Sequence, residues 1–285
     1  MRGFSSLATL GICLAFLTQA RAEGLARAKG AGPSPAATLP TDTVKRLRSG
    51  DAAQVKAALD DVRMAAKGGA PAVPTIVDLL KRGLPEPLTE SAVETLGDTE
   101  SEGASEVLGW YSRHRNAAVR RAAVQSLART RGPSAVKALR AALSDPDPAV
   151  RGVSATALGT LKAKEAVGDL FVALDHKVDE AAASIGQLCA GPDCERLAGK
   201  LGSVHFDVVT GGLDEVMLRP APDVTDDLKV KIVGRVREVG TAEANRFLKE
   251  VQAKWPPRGS ARVKQSIDQA VLATTGSPGA PGSTP

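Results

Sequence analysis

Apolar side chains return every three or four positions through most of this chain, separated by polar residues and cut by short turns. That spacing predicts amphipathic α-helices, and nowhere does an alternating strand pattern run long enough to compete. The helices also recur as a block. Val119 to Ala128 aligns with Val150 to Gly159 and, one unit earlier, with Leu88 to Gly97, so that Leu96, Leu127 and Leu158 fall 31 residues apart. A fixed period of that size predicts a solenoid, in which each unit buries its apolar face against its neighbours.

Each central unit reads as two helices. In the turn Asp145-Pro146-Asp147-Pro148, Asp147 can cap the helix that follows and Pro148 can occupy its first position, where a missing amide costs nothing. Asn116 stands 31 residues before Asp147 and is placed to cap in the same way. The first helix then carries Val150, Val153, Ala157 and Leu158 and stops near Gly159. The second carries Val167, Leu170, Phe171 and Leu174. Its counterparts are Val136, Leu139 and Leu143 before it and, after a shortened spacing of 27, Cys194, Leu197 and Leu201.

Outside this centre the period weakens. Upstream, a short helix over 42–48 and a pair over 51–67 and 71–82 are expected. Downstream, helices are expected over 205–218, 226–239, 242–255 and 260–274, with two regular pairs or a looser arrangement both open. The predicted solenoid spans 41–274 and is most regular over 86–202.

The ends differ from the middle. Residues 1–22 read as an export signal: a basic start at Arg2, a short apolar run and the small residues of Thr18-Gln19-Ala20-Arg21-Ala22 before a cleavage point. Residues 23–40 and 275–285 are rich in Gly, Pro and small residues and read as a linker and a tail. Removing the leader takes Arg2 and Arg21 from 37 basic residues set against 32 acidic ones, so the net charge falls from +5 to +3. That balance, with 3% aromatic residues, argues against a nucleic-acid partner. Past the leader nothing is apolar enough to span a membrane. A periplasmic or secreted product is expected.

Export would place Cys189 and Cys194 where disulfides form. By the repeat, Cys194 replaces Val136 and Val167 at a core position, whereas Cys189 replaces Arg131 and Lys162. A cysteine in place of exposed basic residues, close to a second cysteine, favours a bridge over two free thiols. Closing so short a loop would mainly fix the turn.

The run Asp145-Pro146-Asp147-Pro148-Ala149-Val150-Arg151, then Ala155, Leu158 and Gly159, then Ala166, Val167 and Leu170, resembles the HEAT-like repeat of the phycobilin-lyase type. The resemblance implies a right-handed α-solenoid of antiparallel helix pairs with second helices lining a concave side. It also implies that Arg120 and Arg151, the arginines of the pattern, sit by the inter-repeat turn and can meet an acidic residue of a neighbouring unit. The family is mostly a binding scaffold. The His-Glu dipeptides by which related deoxyhypusine hydroxylases hold iron do not occur, since His114, His176 and His205 are followed by Arg115, Lys177 and Phe206. No nucleophile motif stands out, and no catalytic residue, metal or cofactor is expected.

One stretch carries candidate binding residues. Arg113, Arg115, Arg120, Arg121, Arg129 and Arg131 fall within 113–131 without an acidic residue. With Arg120 assigned to the repeat, the others offer either a polyanion-binding patch or a solvated face. Trp110 and Tyr111 precede them as either an apolar anchor or core-edge residues. The expected function is an exported, non-catalytic scaffold for a protein partner, bound at the concave face or through Trp110, Arg113, Arg115, Arg121 and Arg129. An enzyme subunit acting on an extracytoplasmic polymer and an envelope protein holding anionic glycan or lipid are the alternatives.

Overall fold

The computed structural model describes residues 38–275. The expected leader, nearly all of the linker and the tail beyond Thr275 lie outside the described residues.

Helices follow one another in antiparallel pairs behind a short opening helix α1 (Thr43–Leu47). The pairs are α2 (Ala52–Ala65) with α3 (Val73–Arg82), α4 (Glu86–Asp98) with α5 (Ser105–Tyr111), and α6 (Ala117–Thr130) with α7 (Pro133–Ala142). Next come α8 (Pro148–Thr160) with α9 (Val167–Asp175) and α10 (Glu180–Leu188) with α11 (Pro192–Ala198). The stack ends with α12 (Phe206–Leu218) and α13 (Asp226–Val239), then α14 (Ala242–Lys254) and α15 (Ala261–Thr274). This is an all-α solenoid; downstream the closely packed layer changes over, with α13 packed on α15 while α12 meets α13 and α14 only lightly.

Local chemistry sets the boundaries. Asn116 and Asp147 each accept a backbone amide two residues on at 2.8 Å, capping α6 and α8 as their positions predict. Thr225, Thr241 and Ser260 cap the last helices through their hydroxyls. Leu96, Leu127 and Leu158 are fully buried in successive units, each worth about 2 kcal/mol of apolar transfer. Two residues expected inside, Val136 and Val153, are only half-buried.

First helices stack on first helices by way of small residues. The Ser126 hydroxyl donates to the Val93 carbonyl one unit back at 3.0 Å, and Ser184 donates to Ala155 at 2.8 Å. A side chain on Gly97 would strike Ser126, and one on Gly159 would strike Ser184, both at 2.6 Å. Where the next unit carries Ala157 instead of a serine, the matching position is Ala128 rather than glycine. At the α10–α12 crossing the backbones themselves meet: a Cβ on Gly186 would lie 2.0 Å from the Gly212 carbonyl oxygen.

The second helices behave differently in the centre. α7 and α9 approach only loosely, while α4, α6, α8 and α10 pack closely along the other layer. The resemblance implies second helices drawn onto a concave side. In the central units the first helices pack closest, because their contact faces are Gly, Ala and Ser, while α5 still meets α7.

Cys189 and Cys194 are joined in the structure, with Cα atoms 5.3 Å apart. Cys189 is fully buried, unlike the exposed basic residues Arg131 and Lys162 that it replaces in the repeat. Those two adopt positive φ at their helix ends, and Cys189 is extended.

Candidate functional site

The arginines adjacent in sequence do not form one patch. Arg113 and Arg115 lie in the turn before α6, whereas Arg129 and Arg131 lie at its other end, about 20 Å away along a helix of 14 residues. Arg121 pairs with Asp147 at 3.5 Å and Arg129 with Asp98 at 3.4 Å, so both expected partner-binding cations already face carboxylates of neighbouring units. Arg113 and Arg115 are exposed and form no ion pair among the described residues. The pairing was out of reach of a local charge count because Asp98 and Asp147 lie 31 and 26 positions from their partners.

Arg120 is the best-held of the set. Its Nη1 donates to the carbonyls of His114 and Arg115 at 3.0 and 3.1 Å, and its Nε and Nη2 form a fork with the Asp145 carboxylate at 2.8 and 2.9 Å. The hydrogen-bonded carboxylate raises the guanidinium pKa above its ordinary value. Asp145 Oδ1 also accepts the Asp147 amide at 2.8 Å, which fixes the turn that presents it. Arg151 keeps half of this arrangement: Nη1 donates to the carbonyls of Asp145 and Pro146 at 2.8 and 3.1 Å. It meets no acidic residue of a neighbour among the described residues. The position 25 residues ahead, which is Asp145 for Arg120, is His176 for Arg151.

Trp110 and Tyr111 separate into the two roles the sequence left open. Trp110 is 54% exposed, with the Lys81 ammonium 5.5 Å from its ring centre. Tyr111 is half-buried, donates to the Leu80 carbonyl at 2.8 Å and stacks on His114. Burial raises its pKa.

The repeat phase of Trp110 holds Ala141 in the next unit and Val172 in the one after. Ala141 is also exposed, and Val172 is 56% exposed. This apolar row on α5, α7 and α9 was legible only by carrying the 31-residue phase onto the outward face of the second helices. Grooves lie between those helices. The one at Arg120 has a volume of about 370 Å³, and its equivalent one unit on, at Arg151, about 450 Å³. A further groove of about 570 Å³ crosses the first-helix face beside Gln125, Val153 and Thr156.

His114, His176 and His205 lie in separate turns, and among the described residues no group of three His, Cys, Asp or Glu is placed to hold a metal ion. No helix among them is long and apolar enough to cross a membrane.

Comparison with protein families matches residues 106–188 to HEAT repeats. Among solved structures, the complex of CpcE and CpcF of phycocyanin lyase from Nostoc sp. PCC7120 is 19% identical, with 86% of this chain and 97% of that chain covered and a TM-score of 0.46. A designed armadillo repeat protein in complex with the peptide (KR)4 is 16% identical, with 82% and 98% covered and a TM-score of 0.41. Comparison with curated proteins finds no match.

Proposed function

We propose that this chain is an exported, non-catalytic scaffold that binds a protein partner across the second-helix face of its central units. The observation that carries the reading is the exposed row of Trp110, Ala141 and Val172 at successive repeats. A rigid stack presents such a row with little ordering cost on association, and an aromatic anchor flanked by cations is the usual composition of an energetic contact. The arginines beside it that pair with no carboxylate among the described residues, Arg113 and Arg115 at one end and Arg151 at the other, favour a partner segment carrying acidic side chains. Export follows from the leader pattern of residues 1–22, and a mature chain beginning at Glu23 would be its signature.

The test is site-specific photocrosslinking in the full chain, with the crosslinker placed at Trp110, at Val172 or at Thr156 on the first-helix face. The reading expects the same protein to be trapped from Trp110 and Val172 and not from Thr156. Trapping from Thr156 alone would move the surface to the other face, and trapping from no position would sink the reading.

A further inference from the structure

We propose that Arg151 and the groove beside it form a receptor slot for one carboxylate side chain, an Asp or Glu, of the protein partner. The inference deepens the scaffold reading and rests on it.

The argument is a comparison of the chain with itself. Arg120 and Arg151 occupy the same repeat position, and each is anchored by Nη1 to two carbonyls of its own preceding turn. That anchoring turns the Nε and Nη2 edge of each guanidinium toward the next unit. At Arg120 the edge is filled by Asp145 in a two-point fork. At Arg151 the residue in Asp145's place is His176, which is exposed, and both residues line the groove of about 450 Å³.

Charge accounting within that groove leaves one cation over. Asp145 is committed to Arg120 and Asp169 to Arg140, so neither carboxylate neutralises Arg151. The twin site identifies the missing ligand as a planar carboxylate, which matches the guanidinium fork in two parallel bonds. Val172, exposed on the same groove wall, gives an apolar contact for the residue next to that carboxylate. The partner is therefore an acidic side chain with an apolar neighbour, laid along the second-helix row.

The probe is acetyl-Leu-Ser-Asp-Pro-Asp-Pro-amide, which copies the segment Leu143 to Pro148 that fills the Arg120 slot. The readout is the Nε–H resonance of each arginine in the full chain, with Arg151 assigned by Arg151→Lys. Titration is expected to shift the Arg151 resonance saturably and leave Arg120 unmoved. Replacing the first Asp of the peptide by Asn should weaken binding about tenfold, the loss of one charged hydrogen-bond pair. His176→Asp should close the slot from within and abolish the response, while circular dichroism shows an intact fold.

An unmoved Arg151 resonance, an equal response to the Asn peptide or to inorganic phosphate, or undiminished binding in His176→Asp would each overturn the slot. Crosslinking separates this from the scaffold reading. If the partner is trapped from Val172 equally in wild type and His176→Asp, the scaffold stands and the slot falls. If nothing is trapped in wild type, the scaffold reading falls and the peptide titration alone decides whether Arg151 takes a carboxylate.

Discussion

The central units and the last two helix pairs are both stacks of α-helices but are held together by different kinds of contact. In the centre, contacts repeat with the sequence: Ser126 and Ser184 reach back to equivalent carbonyls, and Gly97, Ala128 and Gly159 match the residue that faces them. Beyond α11 each tie is used once. Arg219 donates to the Gly186 and Cys189 carbonyls, Lys229 to the Arg219 carbonyl, and Asn245 to the Val271 carbonyl and the Thr274 hydroxyl. A solenoid therefore needs matched faces, not a matched sequence. Periodicity is what remains visible when the same solution is reused.

The joint between the two regions is where the comparison breaks most easily. Gly212 lies in α12 with its Cα hydrogens against α10, and a Cβ there would come within 2.3 Å of the Ala182 carbonyl oxygen. Gly212→Ala must separate two helix backbones and is expected to cost about 3 kcal/mol, well above the gain of about 1 kcal/mol in helix propensity. Gly211→Ala meets nothing within 4 Å and should keep that gain as stabilisation. Urea unfolding of the two variants measures the difference. Equal effects would mean that the backbones do not touch as described.

A smaller effect separates the two arginines of the centre. Asp145→Asn keeps the acceptor for the Asp147 amide but halves the fork to Arg120, and should cost about 2 kcal/mol. Arg151→Gln loses only donors to two turn carbonyls that water can reach, and should cost about half as much. Thermal unfolding monitored by circular dichroism compares them. A larger loss at Arg151 would show that its guanidinium is already satisfied within the fold.

The fold was legible because helix caps, proline starts and buried leucines act over short sequence distances that the pattern records directly. The downstream helices were equally legible one by one, yet their pairing was not, since contacts such as Asn245 to Val271 have no counterpart elsewhere in the chain. The site was less readable. Six arginines in a short stretch look like a patch until a helix separates its ends and Asp98, Asp145 and Asp147 neutralise three of them. Lys229 shares the helical face of Ile232, Val233 and Val236, all buried in α13, so its burial follows from its place in the helix and not from its residue type.

Matched faces in the centre can be tested by a double-mutant cycle. Gly97→Ala places a methyl 2.6 Å from the Ser126 hydroxyl, 2.7 Å from the flexible end of Arg129 and 2.7 Å from the Ser126 Cβ, so removing the hydroxyl relieves the first contact while α4 and α6 must still part slightly to clear the last. Ser126→Ala removes a buried hydroxyl that donates to the Val93 carbonyl. Each alone should destabilise by about 1 kcal/mol, while together they recreate the Ala128 and Ala157 pairing found one unit on. The double variant is expected to be more stable than the sum of the singles predicts, by about 1 kcal/mol. Additivity would mean that the two positions do not sense each other.

The smallest expected effect belongs to the singly used ties and appears as a pH dependence. Lys229 is buried, with its ammonium on the Arg219 carbonyl and 5.3 Å from the Trp255 ring centre. Burial lowers its pKa from 10.5, with Asp226 opposing the shift and Arg219 adding to it. The folded state thus releases this proton at lower pH than the unfolded chain does. Between the lowered pKa and 10.5 the unfolded chain holds more protons at this site, so this contribution to stability rises with pH across that interval. Lys229→Met keeps the side chain's packing against Trp255 and removes the titration, so the slope of stability against pH just below 10.5, measured by urea unfolding from neutral pH upward, should lie lower in the variant than in wild type. An unchanged slope would place Lys229 in contact with water in solution, and the C-terminal pairs would then be joined by apolar packing with no buried charge among their ties.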